Sequence, residues 1–285
     1  MKIAVTSASG QLGSSIAKQL INELGNEDVI GIARSPKKAN HLGIEIRKGD
    51  YDNRQELDLA LKDIDVVLLV SGMAEPQKRI QQHRNVIEAA KVNGIKKIVY
   101  TSIIGDEKNT SFAPIVQSNR QTELDIKNSG LEWVIGRNGI YIEPDLDYID
   151  NYIKEGEIRN CAGKGKCAYT SRKELGYAYT KMLVEGAHNG HTYNLSGEPI
   201  SQKKLTEYIN SVYHTELVYN SISVKDYCAE RKEALGEFLG SVISGIYEAI
   251  HNGTYNVPSD FEKATGRPHQ TAIEMIRELK ISDNN

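Results

Sequence analysis

The segment TSASGQLG runs from Thr6 to Gly13, directly after the short apolar run at residues 2–5 and before an amphipathic stretch. A strand that leads through a glycine-rich turn into a helix gathers backbone N–H groups and the positive end of a helix dipole at one point, which favours a pyrophosphate. Gly10 would let the backbone approach the phosphates, and Gly13 would let the helix pack on the strand. Ser7 stands where such turns normally carry their first glycine. The sequence therefore predicts a dinucleotide-binding turn of variant form.

Short apolar runs alternate with longer amphipathic stretches up to about residue 137, which predicts repeated strand–helix units and a parallel sheet. We predict the fold class α/β, a Rossmann doubly wound parallel sheet with a small C-terminal α+β substrate lobe. Residues 1–139 would form the nucleotide-binding domain and residues 140–285 the lobe, with part of 165–195 returning to the first domain. The predicted strands are residues 2–6, 29–33, 45–48, 65–70, 97–101 and 132–135, and later helices are expected near 172–186, 201–212 and 234–252.

The composition favours small soluble ligands. The net charge of −3 comes from well-mixed acidic and basic residues, so no nucleic-acid or membrane-surface partner is expected. Cys161, Cys167 and Cys228 form no C-x-x-C pair, which fits reduced thiols. The N-terminus resembles neither a signal peptide nor a membrane span, and we expect a cytoplasmic protein. His188 and His191 flank an Asn-Gly turn without further ligands, so no metal site is predicted.

The end of the second predicted strand indicates which dinucleotide is preferred. Sites for NAD place an acidic residue there to bond the ribose 2′-hydroxyl, whereas this chain has Ala33 followed by Arg34. An arginine fork suits a 2′-phosphate. The sequence therefore predicts NADP(H), with Lys37 or Lys38 as additional cations. The alternative interpretation is a solvated basic turn.

Three further loops follow predicted strands at the edge where open parallel sheets bind ligands. Asp50 and Tyr51 come after the third strand, where they would bond and cover an adenine edge. The segment VSGMAEPQ follows the fourth strand and YTSIIG forms the end of the fifth. Each alone is typical of an ordinary loop, but together they predict one crevice.

Motifs along nearly the whole chain resemble the NmrA-like atypical short-chain dehydrogenases. They are SGQLG, IARSPKKA, GDYDN, QHRNVIEAAKVNGIKKIVYTS, SGLEWVIGRNGIY and a late GRP. Within that group the chain is most similar to bacterial NADPH:quinone oxidoreductases and triphenylmethane reductases. The resemblance implies an NADP-binding Rossmann domain with a substrate lobe, and it places Tyr141 near the substrate. The implied cofactor contacts are Ser7, Ser9, Gly10, Gln11, Leu12, Arg34, Ser71, Gly72, Met73, Ser102 and Asn138, to which the turn adds Thr6.

The Tyr-x-x-x-Lys pair that supplies a proton in ketone-reducing short-chain dehydrogenases is missing. In the resembling helix the two positions hold Arg120 and Leu124. The same spacing recurs at 169–173 and 177–181, which we interpret as chance matches away from the nicotinamide position. No catalytic residue is therefore assigned.

The missing pair favours an acceptor that needs no strong internal acid. A quinone that receives hydride becomes a phenolate, whose conjugate acid has a pKa near ~10, and a triphenylmethane dye cation is simply neutralised. We therefore predict direct hydride transfer from NADPH to a quinone-like or dye-like acceptor, without flavin.

Aromatic residues supply candidates for an acceptor pocket, and two questions stay open. Tyr141 and Phe112 could stack on an aromatic acceptor, although such residues more often pack a core. His83 is interpreted as a structural histidine. A non-catalytic NADP(H)-binding redox sensor that acts through a protein partner is the alternative function, and a homodimer is left open.

Overall fold

The computed structural model describes residues 1–283. Its strands are β1 (Ile3–Val5), β2 (Val29–Ala33), β3 (Glu45–Lys48), β4 (Val66–Val70), β5 (Lys97–Ile103), β6 (Glu132–Asn138), β7 (Ile140–Tyr141), β8 (Glu157–Asn160), β9 (Lys166–Thr170), β10 (Thr192–Leu195), β11 (Pro199–Ser201) and β12 (Val218–Ser221).

The helices alternate with these strands in the first half of the chain and cluster in the second half. They are α1 (Gln11–Leu24), α2 (Arg54–Ala60), α3 (Pro76–Val92), α4 (Ala113–Lys127), α5 (Glu143–Asp147), α6 (Ile149–Glu155), α7 (Arg172–Val184), α8 (Gln202–Tyr213), α9 (Val224–Leu235), α10 (Glu237–His251), α11 (Phe261–Thr265) and α12 (Ala272–Asp283). No helix in residues 1–283 has the length and apolar character needed to cross a bilayer.

Seven parallel strands form the central sheet in the order β10-β6-β5-β4-β1-β2-β3. Apolar side chains bury both faces, with α1 and α7 on one side and α2, α3 and α4 on the other. The order reverses between β1 and β4, which is the topological switch point where such sheets bind ligands. The predicted Rossmann α/β class is confirmed, and the predicted bounds of β2 and β3 coincide with the observed ones.

Residues beyond 139 contribute to this sheet as well. β10 adds to its edge in parallel register with β6, with Thr192 opposite Ile135. α7 packs on α1 closely enough that a Cβ on Gly176 would lie 3.1 Å from the Ser15 hydroxyl. The later half of the chain is therefore joined to the nucleotide-binding layer by both a strand and a helix.

The remaining elements surround a second core beside the sheet. β11, β9 and β7 form one small sheet, and β12 pairs with β8 in another. Helices α9, α11 and α12 were not predicted from the sequence. The helix predicted near 234–252 corresponds to α10, but its first two residues belong to the end of α9, because Gly236 turns the chain between the two helices with φ +81°.

A buried carboxylate lies in this second core. Asp145 is 5 % exposed, and its Oδ1 accepts hydrogen bonds from the hydroxyls of Tyr152 at 3.1 Å and Tyr247 at 3.2 Å. Burial raises the pKa of Asp145 to about 6, although these hydroxyl donors oppose the shift. The core of the lobe therefore contains a hydrogen-bonded carboxyl group, and ionisation of this group destabilises the folded protein.

The substitution Asp145→Asn should stabilise the protein more at pH 8 than at pH 4, relative to the wild type. Because the folded pKa lies above the ordinary value of 3.8, wild-type stability from this site is greatest below that value and falls as pH rises towards 6. Two pKa units correspond to about 3 kcal/mol. Urea unfolding of both proteins at the two pH values measures the difference, and an effect of Asp145→Asn that does not change with pH would contradict the assignment.

Candidate functional site

The turn after β1 takes its shape from Ser7, which adopts a left-handed backbone conformation with φ +50°. Its carbonyl oxygen accepts a hydrogen bond of 2.8 Å from the N–H of Gly10. A residue with a side chain is strained by about 1 kcal/mol in this conformation. α1 begins immediately afterwards at Gln11, and the first N–H groups of a helix have no acceptor within the helix. Serine therefore makes the turn that glycine usually makes and still delivers these donors to the sheet edge.

Gly13 lets α1 lie against this turn. A Cβ at this position would come within 2.3 Å of the Ser7 carbonyl oxygen, so any side chain would push the helix away from β1. Ser9, Gly10 and Gln11 are exposed at the helix start. Leu12 is 8 % exposed with its side chain in the core, so only its backbone can face a ligand.

Thr6 and Tyr51 lie beneath the turn and hold it. The Thr6 hydroxyl donates to the Leu68 carbonyl oxygen and accepts from the N–H of Val70, each at 2.9 Å. Its oxygen also lies 2.5 Å from the Tyr51 hydroxyl oxygen, so the Tyr51 hydrogen is shared between Thr6 and the Val70 carbonyl oxygen, which lies 2.8 Å away. Burial raises the pKa of Tyr51 to about 12. The hydroxyls of Thr6 and Tyr51 are therefore used within the protein, and these residues position the turn instead of offering those groups to a ligand.

Cationic and acidic side chains line the rim next to β2 and β3. Arg34 follows β2 and is exposed. Asp50 accepts the N–H of Asp52 at 3.1 Å. Asp52 pairs with Lys78 at 3.0 Å, and the hydrogen bond from Lys78, with a weaker contribution from Arg34, lowers the pKa of Asp52. Arg34 and Asp50 are thus accessible at one end of the crevice.

Three neighbouring elements, β5, α4 and α3, anchor the loop after β4. The N–H of Ser71 donates to the Thr101 hydroxyl at 2.8 Å, and the Ser71 hydroxyl donates to Asn119 Oδ1 at 3.1 Å. The N–H of Gly72 donates to His83 Nε2 at 2.9 Å. Met73 is 80 % exposed beyond these anchors. The loop is therefore fixed at its base and open at its tip.

His83 acts as one fixed tautomer in this arrangement. Its Nε2 accepts from Gly72, so Nδ1 carries the hydrogen and donates to the Thr122 hydroxyl at 2.9 Å. The Thr122 hydroxyl in turn donates a hydrogen bond to the Ser118 carbonyl oxygen. Burial, with a smaller contribution from the nearby Arg79, lowers the pKa of His83 to about 3. The histidine is neutral and structural, as predicted.

The residues at the expected proton-donor positions have different surroundings from each other. Arg120 Nη1 donates to Glu123 Oε1 at 2.8 Å and to the Ser102 hydroxyl at 3.2 Å. Ser102 donates to the same carboxylate oxygen at 2.6 Å. Leu124 is 53 % exposed. An ion pair therefore occupies the place beside Ser102 where a tyrosine would act, and the second position faces away from it.

Asn138 joins two tyrosine hydroxyls at the end of β6. Its Nδ2 donates to the Tyr141 hydroxyl at 3.1 Å, and its Oδ1 accepts from the Tyr179 hydroxyl at 2.7 Å. Tyr179 lies on α7, and a Cβ on Gly136 would come within 2.3 Å of its hydroxyl oxygen. Burial raises the pKa of Tyr141 to about 12. The structure thus brings the predicted residues Asn138 and Tyr141 into direct contact.

Phe112 does not join this group. It is 3 % exposed and packs in a small apolar cluster with Ile115 and Val116. The segment also touches α10, because a Cβ on Gly245 would lie 2.3 Å from the backbone nitrogen of Phe112. The side chain is therefore engaged in packing, and it offers no face for an acceptor to stack on.

These features fit a dinucleotide. The close approach at Gly13 brings the start of α1 to the switch point, where a phosphate would meet free N–H groups. Arg34 stands at one end of the crevice, and the anchored loop at residues 71–73 follows β4 beside the switch point. Across residues 1–283, no three His, Cys, Asp or Glu side chains come together in a group that could hold a metal ion.

Comparison with known proteins agrees with this geometry. A family model described as NAD(P)H-binding matches residues 7–157. Quinone oxidoreductase 2 of Escherichia coli is 30 % identical over 97 % of this chain and 98 % of its own length. A crystal structure of an NADPH-dependent quinone oxidoreductase from Escherichia coli, complexed with NADPH, has a TM-score of 0.89 at 29 % identity, covering 97 % of this chain and 99 % of that one. A Citrobacter triphenylmethane reductase complexed with NADP(H) has a TM-score of 0.89 at 28 % identity, covering 98 % and 99 %. The predicted resemblance is confirmed.

Gly13→Ala should weaken dinucleotide binding by about 10-fold or more and lower stability by about 1–3 kcal/mol, because the added methyl group collides with the Ser7 carbonyl. Gly186→Ala is the matched control, since a Cβ there meets nothing within 4 Å. Isothermal titration with NADPH and thermal unfolding measure the two effects. Equal behaviour of the two variants would refute the proposed cradle.

Proposed function

This chain belongs to the NAD(P)H-binding family, and from that premise we propose that it is an NADPH-dependent oxidoreductase that passes hydride directly to a quinone-like acceptor without flavin. The relatives with the same fold over nearly their whole length include a quinone oxidoreductase and a triphenylmethane reductase. Both names describe reduction of an aromatic or quinonoid acceptor, which agrees with the acceptor class expected from the missing Tyr-x-x-x-Lys pair.

The residues proposed to hold the cofactor follow from their positions. The N–H groups at the start of α1, with Ser9 and Gly10, would bind the pyrophosphate. The exposed guanidinium of Arg34 would pair with the 2′-phosphate. The loop at residues 71–73 would cover the middle of the dinucleotide, and Asn138 would lie near the nicotinamide end. When bound, NADPH supplies a hydride, which carries two electrons.

The observation that carries the proposal is the ion pair beside Ser102. A ketone that accepts hydride becomes a strongly basic alkoxide and needs an acid close by, and Arg120 stays protonated instead of donating. A quinone that accepts hydride becomes a hydroquinone monoanion, and one proton from water then completes the hydroquinone. The balance of the reaction is quinone, NADPH and one proton giving hydroquinone and NADP+. A site with this ion pair therefore suits a quinone far better than a simple ketone.

Because no acid is needed, the main contribution of the protein to the rate is to hold the acceptor close to the nicotinamide. Tyr141 is half buried, with its hydroxyl held by Asn138 and with Arg172 over its ring at 5.6 Å. We assign to Tyr141 the packing of one face of an aromatic acceptor against the nicotinamide. A fixed ring restricts the orientation of the acceptor. This restriction lowers the activation free energy of hydride transfer, and it is the main effect available when no acid is needed.

Arg34→Ala should weaken NADPH binding about 10- to 100-fold and leave NADH binding unchanged, because it removes one charge-assisted contact to the 2′-phosphate. Arg84→Ala serves as the control, since Arg84 pairs with Asp125 on α4. Titration of each variant with both dinucleotides measures the preference. An unchanged NADPH to NADH ratio in Arg34→Ala would exclude the proposed contact.

Flavin-free protein should oxidise NADPH steadily when a quinone is present, with one hydroquinone formed for each NADPH consumed. Absorbance at the nicotinamide band, with an anaerobic control lacking the quinone, measures the rate. Tight binding of NADPH without turnover across a panel of quinones and dyes would overturn the proposal and would favour the redox-sensor alternative.

A further inference from the structure

An excess positive charge lies beside Ser102 on buried and half-buried side chains. The carboxylate of Glu123, 3 % exposed, accepts from Arg120 and also from Arg137, whose Nη2 and Nε lie 2.6 Å and 2.9 Å from its two oxygens. Glu107 comes within 4.0 Å of Arg120 but is 54 % exposed, so water screens its charge. We call Arg120, Glu123 and Arg137 the arginine cluster, and it carries two positive charges against one negative charge.

The two arginines differ in access. The side chain of Arg120 is 14 % exposed and that of Arg137 is 30 % exposed. Burial lowers the pKa of Arg120, the carboxylates of Glu123 and Glu107 oppose that shift, and the neighbouring Arg137 adds to it. Burial raises the pKa of Glu123, but Arg137 and Arg120 outweigh it and hold that pKa below its usual value. Glu123 therefore stays ionised and cannot donate a proton.

The arginine cluster lies beside the carboxyl ends of two neighbouring strands. Ser102 on β5 and Arg137 on β6 are partners in the register of the sheet, and Arg120 Nη1 on α4 donates to the Ser102 hydroxyl at 3.2 Å. Because open parallel sheets bind ligands at the carboxyl ends of their strands, the arginine cluster stands at the edge where the acceptor is proposed to bind.

We propose that the arginine cluster selects neutral carbonyl acceptors over cationic dyes by stabilising the negative charge that hydride transfer places on the acceptor oxygen. This inference rests on the proposed function and specifies its substrate class. A neutral quinone gains one negative charge as it becomes the hydroquinone monoanion, so a nearby excess cation lowers the barrier. A triphenylmethane cation loses its charge on reduction, and the same excess cation repels it before the reaction.

The selectivity of Arg137→Gln tests this assignment. The substitution removes the excess charge, so kcat with a neutral quinone should fall by about 100-fold, whereas kcat/KM with a cationic triphenylmethane dye should stay the same or rise. Arg137→Lys keeps the charge and should restore most of the quinone rate. Equal losses with both acceptors, or no loss with either, would overturn the inference.

A second measurement does not depend on turnover. 4-Nitrophenol titrated into the protein saturated with NADP+ should bind as its coloured phenolate at a pH where the free phenol is protonated, and Arg137→Gln should abolish that band. If the wild type binds 4-nitrophenol only in its neutral form, the inference fails even when quinone turnover is present. If the wild type binds the phenolate but oxidises no NADPH, the proposed function fails while the charge assignment stands.

Discussion

The hydroxyl of Thr6 makes the contact on which the rest of the site depends. It bridges β1 to β4 through the Leu68 carbonyl and the N–H of Val70 at the position where the strand order reverses. Tyr51 then extends the bridge to the loop after β3. Because these groups are buried, their hydrogen bonds are costly to lose. The turn at Ser7, the rim at Arg34 and the loop at residues 71–73 therefore hold fixed positions around one crevice.

Strain at Ser7 is retained within this frame. Its left-handed conformation costs about 1 kcal/mol relative to glycine, and the bond from Gly10 together with the packing of α1 at Gly13 hold it in place. The departure from the usual glycine pattern changes the energy of the turn without changing its course. The turn proposed to hold the phosphates therefore keeps its shape with a serine at its first position.

Local sequence patterns were sufficient to predict the strands of the central sheet, but they did not predict the pairing within the lobe or the arginine cluster. Strands β2 and β3 could be predicted to the residue because each is a short β-branched or alternating run between turn residues. β12 pairs with β8, which lies about 60 residues earlier in the chain, and no local signal shows such a partner. Arg137 sits in a strand segment that looks ordinary, and only the fold brings it to Glu123. Phe112 was predicted to contact the acceptor, and this was wrong. The local sequence does not indicate that α10 packs over this residue and buries it.

Direct hydride transfer within the crevice can be followed in a single-turnover isotope experiment. Flavin-free protein loaded with NADPH, deuterated at the transferred position of the nicotinamide, is mixed with one equivalent of a quinone in a stopped-flow instrument. We expect bound NADPH to decay in one phase with a primary isotope effect and hydroquinone to form at the same rate. Decay without an isotope effect, or bound NADPH that persists in the presence of the quinone, would contradict it.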